Sequence, residues 1–111
     1  MRQRAALART LLEDRPIVLM DEPFSGLDVP TRLKLQTLAA RLLAGRTVLL
    51  VTHDPLEALR LGHRIHVMAG VPARLDRPIV PEGRVPRDPG DPGLLALESE
   101  LLRRLEAAAE A

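Results

Sequence analysis

The sequence predicts an α/β fold, a parallel sheet with flanking helices followed by a C-terminal hairpin and helix. Three observations carry that expectation. The runs "IVLM" at 17–20 and "TVLLVT" at 47–52 have the length and apolar character of buried strands. The stretches before them, 2–13 and from about Pro30 to Gly45, carry apolar residues at helical spacing. The resulting order of helix, strand, helix, strand, helix is the alternation that builds parallel sheets.

Each element has its own local justification. The first helix, 2–13, sets Ala5, Ala8, Leu11 and Leu12 on one face, and Asp14-Arg15-Pro16 ends it. Beyond the first strand, a loop from Pro23 leads to a helix opening near Pro30, a residue suited to a first helical turn. Its expected stripe is Leu35, Leu38, Ala39 and Leu42, with Gly45 as the C-terminal cap. After the second strand, Asp54-Pro55 opens a short helix to about Leu61, stopped by Gly62. Residues 64–68 and 74–80 read as two further strands around a turn at 69–72. Six of the ten prolines lie between Pro72 and Pro92, so no regular element can run through that region. Its "PRDPGDPG" portion reads as an irregular linker. The chain closes with an amphipathic helix from about Leu94, its stripe being Leu94, Leu97, Leu101 and Leu105. The expected organisation is therefore 1–70, an α/β body; 71–93, hairpin and Pro/Gly-rich linker; and 94–111, the final helix.

Composition bounds the function. A chain of 111 residues makes one domain and not comfortably two. Hydrophobic residues at 46% and charged residues at 28% are ordinary for a globular protein. The net charge of +1 argues against a surface that coats nucleic acid or an anionic membrane. There is no cysteine, which excludes disulfides and thiolate metal sites. No apolar run approaches the roughly 18 residues of a membrane span, and no signal-peptide pattern opens the chain, so a soluble, cytoplasmic chain is expected. Fifteen arginines against the single Lys34, with Phe24 the only aromatic residue, read as the bias of a GC-rich genome more than as a binding adaptation.

The chemistry gathers at strand ends. Ligands of open parallel sheets bind beyond the carboxyl ends of the strands. Asp21 and Glu22 stand at that end of the first strand and His53 at that end of the second, 31 residues beyond Glu22. Taken alone, an acid pair marks where a strand reaches solvent, and a lone histidine is a cap or a satisfied neighbour. Together, two carboxylates and an imidazole suit phosphoryl transfer to water. One acid holds a hydrated magnesium ion, the second polarises the attacking water, and the histidine contacts the transferred phosphate.

The ordered set "RQRAALARTLLEDRPIVLMDEPFSGLD" and "TVLLVTHDPLEALRLGHRIHVMAG" strongly resembles the C-terminal half of an ABC transporter ATPase of the bacterial importer type, over about residues 2–70. The fold implied is a partial P-loop NTPase fold. The resemblance makes "IVLMDE" the Walker B strand, Asp21 the magnesium-associated acid and Glu22 the catalytic base. It makes His53 the switch histidine that senses the γ-phosphate. "SGLD" resembles the D-loop, which places Ser25 and Asp28 near nucleotide and a second ATPase subunit. "RQRAALARTLL" is similar to the helix after the LSGGQ signature, so Met1 is expected to match the last signature position. Gly26 stands where alanine is common, and "GHR" at 62–64 departs from the usual pattern, leaving His63 a structural or solvated role. The "GVPARL" hairpin, the "PRD" segment and the Leu-rich helix look most like importers of nitrate, sulfonates, taurine or thiamine precursors.

The implied cofactors are ATP and Mg2+. The implied partners are a second ATPase subunit and transmembrane permease subunits, at the inner face of the cell membrane, with neither nucleic acid nor direct membrane insertion involved. The sequence holds no GxxxxGK[ST], the loop whose amides and lysine grip nucleotide phosphates, no adenine-stacking aromatic and no Gln-loop segment. It therefore resembles half a catalytic domain, expected to be inactive alone. The alternative is a non-catalytic remnant or interaction module that pairs with an intact ATPase subunit. A DNA-repair or translation ATPase shares the same logic, but the chain has neither a coiled-coil arm nor a basic patch with aromatics.

Overall fold

In a computed structural model, which describes residues 2–110, the chain forms a small α/β assembly with a short parallel sheet. The expected equivalence of Met1 to a signature position lies outside the described residues. The chain divides into two compact units, one ending at His53 and the other beginning at Asp54.

The first unit contains α1 (Arg2–Leu12), β1 (Ile17–Asp21), α2 (Val29–Leu42) and β2 (Thr47–Val51). β1 and β2 pair in parallel, from Ile17 opposite Thr47 to Asp21 opposite Val51, as their sequence predicts. A bond from Thr47 N–H to the Pro16 carbonyl, 2.9 Å, starts the ladder, and Arg46 Nη1 donates to the Glu13 carbonyl at 2.8 Å. Neither strand is buried on both faces. Val18 and Met20 are buried, while Ile17, Leu19, Leu49 and Val51 are exposed, because among the described residues only one face of the sheet is covered. The helical stripes are likewise rotated from those expected. α1 buries Leu7 and Leu11, one turn apart, and exposes Ala5, Ala8 and Leu12. α2 buries Gln36 and Ala39 and leaves Leu38 and Leu42 exposed. Leu43, whose N–H donates to the Ala39 carbonyl at 2.9 Å, closes α2 in place of Gly45.

The second unit contains α3 (Pro55–Leu61), β3 (Met68–Ala69), β4 (Arg74–Leu75) and α4 (Pro92–Glu110). Its core is Leu59 of α3, Ile65, Val67 and Ile79 of the hairpin region, and Leu94 and Leu101 of α4, with Ala58, Leu97 and Ala108 packed against them. Leu105, the last member of the expected α4 stripe, is exposed.

The hairpin is shorter than the two strands read from sequence. Only Met68 opposite Leu75 and Ala69 opposite Arg74 form a ladder, and Ile65 and Ile79 form a separate bridge through bonds of 2.9 and 2.8 Å. The bridge and the ladder differ in register by one residue. The extra residue falls on the 76–79 side, where Pro78 has no N–H to donate and Arg77 N–H turns to the Asp76 carboxylate at 2.6 Å.

The Pro-rich stretch is irregular, as predicted, but it is packed rather than a bare tether. Pro81 and Arg87 are buried. The Arg87 guanidinium donates to the Leu59, Gly62, Pro81 and Glu82 carbonyls at 2.6–2.9 Å, and its own carbonyl accepts from Arg60 Nε at 2.9 Å. The Arg87 N–H completes the exchange with the Arg60 carbonyl at 2.9 Å. Burial pushes both guanidinium groups below their ordinary pKa, with Asp88 partly opposing this at Arg60. The ring of carbonyls, two of them at the C-terminal end of α3, compensates the lost hydration.

Candidate active site

The parallel register puts the C-terminal ends of β1 and β2 side by side, with Asp21 directly opposite Val51. Asp21 closes β1 on its exposed face, so its carboxylate meets solvent at the sheet edge. Glu22 takes the ladder one step further, its N–H donating to the Val51 carbonyl at 2.8 Å. There the backbone leaves extended geometry, and Glu22 adopts φ 48°, in the left-handed region.

The residues after it explain how that turn is held. Pro23 and Phe24 are buried, anchoring the chain just beyond the acids. Ser25 folds back, its N–H and Oγ both donating to the Glu22 carbonyl, at 3.3 and 3.1 Å. Gly26, at φ 77°, lets the chain leave the turn in a conformation an L side chain resists.

His53 stands two residues beyond β2. Its Nδ1 meets Oε1 of Glu22, so the imidazole and the carboxylate expected to cooperate are in direct hydrogen-bond contact. The His53 side chain is 94% exposed and that of Glu22 30% exposed. So exposed a pair adds little to stability. Its meaning is geometric, an acid and an imidazole held at one open edge with Asp21 adjacent in the chain.

Asp28 has a local task. Its backbone is extended and its Oδ2 accepts from Thr31 N–H at 3.1 Å, which makes it the N-cap of α2. Arg32 of the same helix donates Nη2 to the Leu27 carbonyl at 3.1 Å, tying down the end of the 25–28 loop. Asp54 does the same for α3, accepting from Leu56 and Glu57 N–H at 3.0 and 3.4 Å. His63 is exposed.

Glu22 and His53 therefore lie together, with Asp21 next to Glu22 in the chain at the strand end, Ser25 in the turn beside them and Asp28 at the following helix start. Sequence reading missed the left-handed Glu22, since only glycine or asparagine advertises such a position. It also missed Arg87, whose one signal is a charged residue inside a stretch of prolines. Among the described residues, no three His, Cys, Asp or Glu side chains form a metal cage. A lone Asp21 carboxylate fits Mg2+, which keeps several waters and binds through one or two carboxylates plus substrate phosphates. No helix of the described residues is long and apolar enough to cross a membrane.

Comparison with known proteins adds a sequence relationship to this geometry. No family model matches the chain. The chain is 48% identical over 107 residues to an uncharacterized ABC transporter ATP-binding protein of Haemophilus influenzae, covering 94% of this chain and 45% of that protein. It is 43% identical over 110 residues to an aliphatic sulfonates import ATP-binding protein of Pseudomonas syringae, covering 97% and 46%. It is 47% identical over 79 residues to a taurine import ATP-binding protein of Pelagibacter ubique, covering 69% and 30%. The chain thus spans less than half the length of these curated relatives.

Proposed function

The chain belongs to the ABC transporter ATP-binding protein family, and from that premise we propose that residues 17–53 form the water-activating corner of an importer's ATPase, within a partial P-loop NTPase fold. One observation carries the reading, the contact between the Glu22 carboxylate and His53 at the strand edge where Asp21 also stands. Glu22 acts as the base that accepts a proton from the attacking water. His53 orients that carboxylate through Nδ1 and presents the rest of its ring to the γ-phosphate. Asp21 would hold Mg2+, which when bound would neutralise charge on the phosphates. The sequence carries no phosphate-gripping loop, so the triphosphate is held by residues other than these.

The 25–28 loop faces a second ATPase subunit in this reading, and permease subunits at the inner membrane face complete the importer. Two relatives are named for aliphatic sulfonates and taurine, which makes a small organosulfonate the first cargo to test.

The test is a hybrid in which this chain replaces the matching stretch of the Pseudomonas syringae relative. Asp21→Asn should raise the Mg2+ concentration needed for half-maximal ATP hydrolysis. His53→Ala should slow hydrolysis roughly a hundredfold, the scale of removing one group that stabilises transition-state charge. Parent rates and an unchanged Mg2+ requirement in both variants would leave the interaction-module alternative in place.

A further inference from the structure

We propose that Ser25 is a positioning residue for Glu22, holding that carboxylate against His53 by gripping the Glu22 carbonyl. The inference rests on the hydrolytic reading of the site. Among the described residues, Glu22 is the one non-glycine residue with positive φ, at 48°. An L residue there is strained by about 1–2 kcal/mol, so the conformation persists only where neighbours impose it. The peptide units on both sides of the Glu22 Cα are in fact held. The N-terminal one is tied to β2 through Glu22 N–H and the Val51 carbonyl, at 2.8 Å. The C-terminal one is tied to Ser25, through the long amide bond of 3.3 Å and the hydroxyl bond of 3.1 Å.

Loss of the hydroxyl leaves that carbonyl with only the 3.3 Å amide bond from Ser25, which frees Glu22 to relax toward negative φ. The rotation turns the Cα–Cβ direction away from its present aim, and with it the carboxylate from His53. Ser25 lies on the exposed surface, so its hydroxyl is not needed to satisfy a buried group, and its side chain packs no core. Among the described residues, the hydroxyl's hydrogen bond is the one to the Glu22 carbonyl.

The test uses the hybrid subunit for kinetics and the unaltered chain for structure. In the hybrid, Ser25→Ala should lower kcat about three- to tenfold, the range of one neutral hydrogen bond, with KM for ATP unchanged. Ser25→Thr keeps the hydroxyl and should restore kcat to within about twofold. In the chain itself, the nuclear Overhauser contact between His53 and Glu22 should weaken in Ser25→Ala and persist in Ser25→Thr. A Ser25→Ala hybrid at the parent kcat, or an undiminished contact, overturns the proposal. So does a raised KM that threonine does not repair, since Ser25 would then touch nucleotide or a second subunit directly. Glu22→Gln in the same hybrid separates the two readings. If it is inactive while Ser25→Ala is normal, only the Ser25 role falls; if it hydrolyses at the parent rate, the hydrolytic reading falls and takes this one with it.

Discussion

Asp28 shows how much a single residue of the 25–28 loop does locally. Its carboxylate caps α2 through Thr31 N–H, so Asp28→Ala should destabilise the chain by about 1 kcal/mol in a denaturant melt, while Asp28→Ser keeps most of the stability. Equal losses in both variants would show that the cap is idle. Two glycines separate two kinds of constraint. A Cβ at Gly26 meets no atom within 4 Å, so Gly26→Ala is charged only for its backbone, at φ 77°, about 1 kcal/mol. A Cβ at Gly62 falls 2.8 Å from the Ala58 carbonyl oxygen and 3.0 Å from Ile65 Cγ1, so Gly62→Ala must displace the end of α3 and lose more. Asp21, Glu22 and His53 were legible as a converging set because strand ends are set by runs of apolar residues. The strained backbone of Glu22 was not, because nothing in a glutamate side chain marks it.

α3 and α4 depend on contacts that no periodicity announces. Arg87 reaches four carbonyls in a fork that lysine cannot reproduce, so Arg87→Lys should lower the melting temperature nearly as much as Arg87→Ala. Full stability in the lysine variant would mean that charge, not the fork, matters there. On α4, hydrogen bonds from Arg103 and Arg104 hold Glu100 below the ordinary carboxylate range. A depressed folded-state value means a contribution present above the unfolded value and lost as pH falls through the folded one. Melts taken from pH 6 down to 3 should show that acid-side loss, and Glu100→Gln should flatten it. Helix and strand positions followed from spacing and length, yet their buried faces did not. Leu7 with Leu11, and Gln36 with Ala39, are chosen by what lies opposite them, which local spacing leaves open by one residue. The hairpin was overestimated for a simpler reason, the missing Pro78 N–H, which the sequence displays.

At the scale of the whole chain, the sheet of β1 and β2 presents Ile17 at 73%, Leu19 at 66% and Leu49 at 62% exposure on one face. Contiguous apolar surface of this kind drives association, so sedimentation should show oligomers growing with concentration, and Leu19→Thr should reduce them without shifting secondary structure. A monomer at every concentration with a sharp, cooperative melt would contradict that. The chain by itself should show no micromolar ATP binding in a calorimetric titration, because no phosphate-gripping loop is present in it. In the proposed function, Glu22 is the base of an ATP-hydrolysing site. The most direct test of that role is Glu22→Gln in the hybrid subunit, with hydrolysis and equilibrium ATP binding measured side by side. Hydrolysis should fall by about 10²–10⁴-fold with ATP affinity retained, as expected on removal of a catalytic base. Hydrolysis at the parent rate would contradict that role.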